Sequence, residues 1–351
     1  MATTPKCRWG IVGTGAMATD FVRALRISPG AVVAAVGSRS AATAAAFGDK
    51  LGIPERHSSY EALARDPGVD VVYIATPNST HAQLCKLFLA AGKHVLCEKP
   101  FATTAKEAQD VVDTLAACRR RGGPKPGVVV EAMWMRWQPS TAKAVSLVAD
   151  LGGLTAAHAE IGFEFDDDDW DGNFGKPAMG GGSLLDIGVY PVSLASMLCG
   201  GGPPSSVTAT GTLAATGVDS SCRAVLRYGA VECVAECTAL KDAANTATLT
   251  CKAGVVTLEA PFWASEHVSV SYADGTPAAT FSFPRPPPGS DAEETFPNSR
   301  ALVHEVAALQ ALVEAGGEES PLMPLAETVQ VMQTLDTIRA QVGVVFPSDV
   351  E

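Results

Sequence analysis

Along the first third of the chain, short apolar runs alternate with stretches of helical spacing. Residues 9–12, 31–37, 69–76, 94–97 and 128–132 are near-continuous apolar runs, as expected of parallel strands covered on both faces. Between them, 41–47, 60–64, 80–91 and 106–119 place apolar residues three and four apart, which predicts helices. Repeated β-α alternation predicts a doubly wound parallel sheet. After about residue 136 the rhythm changes. Helices are expected over 139–151 and 184–198, and strands over 154–165, 207–214, 221–228, 230–240, 247–251, 255–260, 268–272 and 279–283. The turns between them are short and glycine-bearing (Tyr228-Gly229, Lys252-Ala253-Gly254, Asp274-Gly275), which is the spacing of hairpins. A proline-rich loop over 284–298 precedes two further helical patterns, 299–315 and 325–342. There is no internal repeat and no heptad.

The first apolar run breaks into Gly13-x-Gly15-x-x-Ala18 and resumes as a helical pattern through Phe21, Val22 and Leu25. A strand, a glycine turn and a helix in this order form the fingerprint by which a Rossmann unit holds a dinucleotide pyrophosphate. Gly13 permits the tight turn, Gly15 lets backbone approach the phosphates, and the N–H groups around Ala16 and Met17 face the anion. The expected fold class is therefore α/β. An N-terminal Rossmann doubly wound parallel sheet (residues 6–135) is followed by a C-terminal α+β domain with a large open, mostly antiparallel sheet (136–351). One broad face of that sheet needs covering, and a homodimer partner is the expected cover.

Composition narrows the classes. Of 351 residues, 47% are hydrophobic and 18% charged, so a large core can form and two domains are the natural division. The net charge of −12 argues against nucleic-acid or anionic-membrane partners. Lys86 and Lys93 interrupt the richest apolar run, so no membrane-spanning helix is expected. The opening M-A-T-T-P-K-C-R leaves no room for a signal peptide, and a cytoplasmic location is expected. Nine cysteines, without C-x-x-C spacing and mostly within apolar runs, read as reduced core residues. Cys233 and Cys237 share a strand face but lack further ligands. The histidines make no i, i+4 pair, so no metal site is expected. The acidic run 166–169 reads as a solvated turn.

An NAD-binding unit carries an acid at the end of strand two for the ribose 2′-OH. Here that position reads Gly37-Ser38-Arg39-Ser40. Ser38 offers a hydroxyl and Arg39 a guanidinium suited to a 2′-phosphate, which favours NADP. Two more polar stretches follow apolar runs, Thr76-Pro77-Asn78-Ser79-Thr80-His81 and Glu98-Lys99-Pro100, at the strand ends where doubly wound sheets bind ligands. A third is Gly180-Gly181-Gly182 through Asp186 to Tyr190, with Asp186 and Tyr190 at i, i+4 among apolar neighbours. A cation beside a phenol lowers the phenol's pKa. Tyr190 could then take the proton of an alcohol losing hydride, Lys99 could stabilise the developing alkoxide, and Asp186 could hold a substrate hydroxyl or orient Lys99.

Taken together, this fingerprint, T-P-N-x-x-H, E-K-P and G-G-G-x-x-x-D-x-G-x-Y resemble the Gfo/Idh/MocA oxidoreductase family, over nearly the whole chain. Glu131-Ala132-Met133-Trp134, the Tyr in place of a more common His, and the tail from Glu319-Ser320-Pro321 to Phe346-Pro347 are similar to the dimeric dihydrodiol dehydrogenases, which also oxidise D-xylose with NADP. The resemblance implies NADP held by Gly13, Gly15, Ala16, Met17, Ser38, Arg39, Thr76, Pro77, Asn78, His81, Glu98 and Lys99. It implies catalysis by Lys99, Tyr190 and Asp186 on a sugar or dihydrodiol, and a substrate wall formed by Trp134 and Trp263. Another sugar or inositol dehydrogenase of the same family, or a sensor that binds NADP without catalysis, remain the alternatives, because fold does not dictate function.

Overall fold

The computed structural model describes residues 7–120, 127–288 and 293–349. In chain order its strands are β1 (Cys7–Val12), β2 (Ala31–Gly37), β3 (Glu55–His57), β4 (Val71–Ile74), β5 (His94–Glu98) and β6 (Val129–Ala132), then β7 (Leu154–Gly162), β8 (Ser206–Leu213), β9 (Asp219–Tyr228), β10 (Val231–Thr238), β11 (Ala247–Cys251), β12 (Gly254–Leu258), β13 (His267–Tyr272) and β14 (Ala279–Ser282). The helices are α1 (Ala16–Ile27), α2 (Ala41–Lys50), α3 (Tyr60–Ala64), α4 (His81–Ala90), α5 (Ala105–Arg120), α6 (Pro139–Asp150), α7 (Asp167–Asp171), α8 (Val189–Leu198), α9 (Val303–Glu314) and α10 (Leu325–Val342).

The chain divides into two compact units. One takes the described residues within 1–101, 106–134 and 285–325, the other those within 102–105, 135–284 and 326–351. A single cut after residue 135 therefore needs correcting, because 285–325 clusters with the first unit. The physical reason lies on α1. The buried carboxylate of Asp20 accepts from the backbone N–H groups of Thr295 (3.0 Å) and Phe296 (2.8 Å) and pairs with Arg23 at 3.1 Å. Gln310 on α9 likewise donates to Pro29 O at 3.2 Å.

The first unit holds a six-stranded sheet in the order β3-β2-β1-β4-β5-β6, with every pair parallel. Its continuous apolar strands are buried on both faces. Trp9, Phe21 and Tyr73 interlock there, with the Phe21 and Tyr73 rings stacked at 3.5 Å between centroids. β3 has no counterpart among the expected strands. Glu-Arg-His at the sheet edge carries no apolar alternation to reveal it.

The second unit is built on an eight-stranded sheet, β14-β13-β12-β11-β7-β10-β9-β8, antiparallel except for β7 with β10. Alternate residues such as Ala157, Ala159, Cys233, Ala235, Leu249 and Val256 are buried, and α6 and α8 pack on the sheet. The other face carries cross-strand ion pairs, with Glu236 held by Arg223 (2.7 Å) and His158 (3.0 Å). Two local expectations change here. The acidic run forms α7, whose Asp166 accepts from Asp169 N while Asp169 bonds back to Asp166 N, a reciprocal cap. The span Pro177–Leu198 is also long and apolar enough to cross a membrane (mean hydropathy 1.2), contrary to expectation. Its window is 83% buried inside the protein, as in a core helix, which meets the same compositional test.

Entry to that helix depends on Gly182. Its φ is +107°, and a Cβ there would stand 2.5 Å from Asp219 Oδ1. Gly182→Ala should lower the unfolding free energy by about 1–3 kcal/mol in urea melts, through left-handed strain and displacement of Asp219. An unchanged midpoint would show that this backbone relaxes freely.

Candidate active site

The anion cradle of the first unit starts where β1 ends. Gly13 has φ +102°, and a Cβ on it would meet Ala75 O at 2.4 Å, so only glycine lets this turn lie against the end of β4. Gly15 is the N-cap of α1 and supplies no side-chain cap, and a Cβ built on it meets nothing within 4 Å. The first-turn N–H groups of α1, beginning at exposed Ala16 and half-buried Met17, therefore lack a side-chain cap and face open space.

At the end of β2, Ser38 is buried. Its N–H donates to His57 O (3.1 Å) and its Oγ accepts from Ser40 N (3.4 Å). Ser40 caps α2 through Thr43 N. Arg39 is exposed, no carboxylate lies in residues 36–43, and Tyr60 is the neighbouring group. Burial pushes the Tyr60 phenol up, and the Arg39 charge pulls it part of the way back.

Thr76, Pro77 and Asn78 leave β4 in a tight turn, where Thr80 Oγ1 lies 2.7 Å from Thr76 Oγ1 and 2.8 Å from Pro77 O. The E-K-P loop leaves β5. Its Glu98 is buried and accepts from the Tyr73 hydroxyl and from Lys99 N (3.2 Å). The Lys99-Pro100 bond is cis and the Lys99 side chain half-buried. Phe101 N donates to the buried Glu131 at 3.1 Å. His81 is buried, with Nε2 2.8 Å from Thr76 O and Nδ1 2.8 Å from Pro100 O, so its ring makes structural contacts to both loops. Burial holds its pKa below the usual histidine value, and nearby Lys99 adds to that effect.

In the second unit, Asp219 organises the glycine-rich entry. It accepts from Ser183 Oγ and Leu184 N, both at 2.6 Å, and burial raises its pKa. The expected continuous α-helix is a π turn over Leu184–Gly188 followed by α8. Such turns often accompany functional sites. Asp186 is the one residue of 181–192 that is not buried. Tyr190 is buried, with its ring 5.9 Å from that of Trp263 at 29°. Trp263 in turn meets Phe163 edge-on at 5.8 Å. Arg136 locks α8 from below, donating to Ser193 Oγ and O (both 3.0 Å) and to Glu327 Oε1 (2.7 Å).

Tyr190 and Trp263 thus come together, and His81 ties the Thr76 loop to the Pro100 loop. Lys99 and Trp134 belong to the first unit, whereas Asp186, Tyr190 and Trp263 belong to the second. Asp219 and Arg136 were missed from sequence, because their partners are distant in the chain. Among the described residues no group of three or more His, Cys, Asp or Glu could hold a metal.

Comparison with known proteins agrees with this architecture. Residues 7–121 match the oxidoreductase family with an NAD-binding Rossmann fold, and residues 141–257 match the GFO/IDH/MocA C-terminal domain. The chain is 34% identical to trans-1,2-dihydrobenzene-1,2-diol dehydrogenase of Mus musculus and 35% identical to that of Homo sapiens, over 97% of this chain and 98% of each relative. Among solved structures, a levoglucosan dehydrogenase in complex with NADH and levoglucosan superposes with a TM-score of 0.81 at 21% identity, covering 95% of this chain and 96% of that one. A 3-ketoreductase from Actinomadura kijaniata with NADP superposes at 0.79 and 20% identity, covering 97% of this chain and 99% of that one. These two likenesses concern the fold. The chain belongs to the GFO/IDH/MocA oxidoreductase family.

Proposed function

We propose that this member is an NADP-dependent dehydrogenase of cyclic vicinal diols, with a trans-1,2-dihydrodiol of an arene, or a pyranose such as D-xylose at C1, as substrate. Near-full-length identity to mammalian enzymes named as dihydrodiol dehydrogenases carries this reading. The chain's own residues fit the cofactor. The uncapped start of α1 and the open space at a Cβ built on Gly15 suit a pyrophosphate, and exposed Arg39, with no carboxylate in residues 36–43, suits a 2′-phosphate. NADP, when bound, supplies the hydride acceptor.

The protein residues then handle the proton and the substrate. Tyr190 takes the proton of the reacting hydroxyl at its Oη, and Lys99 holds the same oxygen and stabilises its developing charge. Asp186, the half-buried acid of an otherwise buried segment, accepts from a neighbouring substrate hydroxyl or orients Lys99. Trp263, already stacked near Tyr190, offers an apolar wall to a ring, with Trp134 as a second candidate wall.

Formation of NADPH by the purified chain, offered aldoses, inositols and dihydrodiols with NADP or NAD, tests this. Turnover is expected with NADP, with dihydrodiols or D-xylose preferred. Arg39→Asp should lower kcat/KM for NADP by about tenfold to a hundredfold, the loss of a charge-assisted hydrogen bond, and change that for NAD far less. Equal losses would remove Arg39 from the 2′-phosphate. Tight NADP binding without turnover on any substrate would favour a sensor.

We further propose a homodimer through the open sheet face, where Val234 on β10 sits between Val225 and His158 of the adjoining strands. Sedimentation velocity should give a dimer, and Val234→Arg a monomer. A monomeric wild type at micromolar concentration would contradict this.

A further inference from the structure

The nine cysteines are all free thiols, and six of them meet in pairs: Cys85 with Cys97, Cys222 with Cys237, and Cys199 with Cys233. Cys85, Cys97, Cys222 and Cys237 are buried. The third pair differs, because Cys199 is half-exposed. Its Sγ lies 3.9 Å from Cys233 Sγ. Cys199 caps the C-terminus of α8, and Cys233 stands on β10 beneath the same helix. We infer that Cys199 and Cys233 form a dithiol that a hydroperoxide converts to an intramolecular disulfide.

A disulfide needs sulfurs about 2.05 Å apart, so the two must close by about 2 Å. The chain allows this at Cys199. The residue ends its helix, and the next two are exposed Gly200 and half-buried Gly201 at φ +86° and +76°. On the Cys233 side the strand is fixed, so the motion falls on the helix end. The contact between the thiols also shifts their pKa values. A hydrogen bond from Cys233 lowers the Cys199 pKa against the opposing effect of burial. The same bond, with burial, raises that of Cys233. The α8 C-terminus opposes a thiolate at Cys199. Tyr228 and Glu232 face the pair, and neither supplies positive charge. Cys199, half-exposed at the helix end, is the sulfur a hydroperoxide reaches, so it attacks and buried Cys233 resolves.

The step balances. The Cys199 thiolate attacks one peroxide oxygen, the O–O bond breaks, and water (or an alcohol) leaves after proton uptake, giving a sulfenic acid. The Cys233 sulfur then attacks the Cys199 sulfur, the S–O bond breaks, and a second water leaves with the Cys233 proton. Two thiols are oxidised and one hydroperoxide is reduced. The product ties the C-terminus of α8 to β10. The other end of that helix carries Tyr190.

The test exposes the folded full chain to a modest excess of hydrogen peroxide, then alkylates the remaining thiols and maps peptides by mass spectrometry. A linked Cys199–Cys233 peptide about 2 Da lighter than the two thiol peptides should appear before any other oxidation and disappear on reduction with a dithiol. Cys233→Ala should leave a Cys199 sulfenic acid that dimedone captures, and Cys199→Ser should leave Cys233 a free thiol. The proposal is overturned if Cys85–Cys97 or Cys222–Cys237 links first. It is equally overturned if Cys199 passes to sulfinic acid with no linked peptide, or if Cys233→Ala takes up no dimedone.

Discussion

Both ring nitrogens of His81 face main-chain carbonyls inside the first unit, Thr76 O on one side and Pro100 O on the other. Burial holds the pKa of this ring below the usual histidine value, and in either neutral tautomer one carbonyl accepts the single N–H. The contact still holds together the loops that leave β4 and β5. Lys99 stands in the second of these, between Glu98, which accepts its backbone N–H, and Pro100, whose carbonyl His81 meets. A lysine on an unsupported loop would spread over many rotamers. Here its backbone is held from both sides, which is what a group meant to meet a developing charge requires.

The second unit solves the same problem with carboxylates and an arginine. Asp219 serves the hydroxyl and N–H that open the helix, Glu327 receives Arg136 and Ser196, and Arg136 reaches Ser193. These hydrogen bonds hold the apolar segment from Leu184 to Leu198 in a single register. That register leaves Asp186 half-buried between buried neighbours and sets the Tyr190 ring against Trp263.

Much of this was legible from local pattern. β2, α3, β11 and α10 follow their apolar periodicity residue for residue, because each buries a face that its own sequence marks. The glycines of the fingerprint and of the 180–190 segment were visible for a related reason, since backbone demands fall on single residues. What escaped depends on distant partners. β3 is polar and takes its identity from β2. Residues 285–325 join the first unit through Asp20, some 275 positions away in sequence. A structural hydrogen bond or a cofactor contact is the reading for His81 after T-P-N, and only the fold supplies its partner, Pro100 O. The π turn over Leu184–Gly188 has the composition of an ordinary helix.

Catalysis by Lys99 and Tyr190 is the central claim, and separating binding from turnover tests it most directly. NADP affinity by fluorescence titration and kcat by NADPH formation would be measured for Lys99→Met and Tyr190→Phe. The expected result is NADP affinity within a few-fold of wild type for both. Lys99→Met should lose turnover by about a hundredfold or more, and Tyr190→Phe should lower kcat more than it raises KM. Full activity in Tyr190→Phe, or in Lys99→Met, would contradict it.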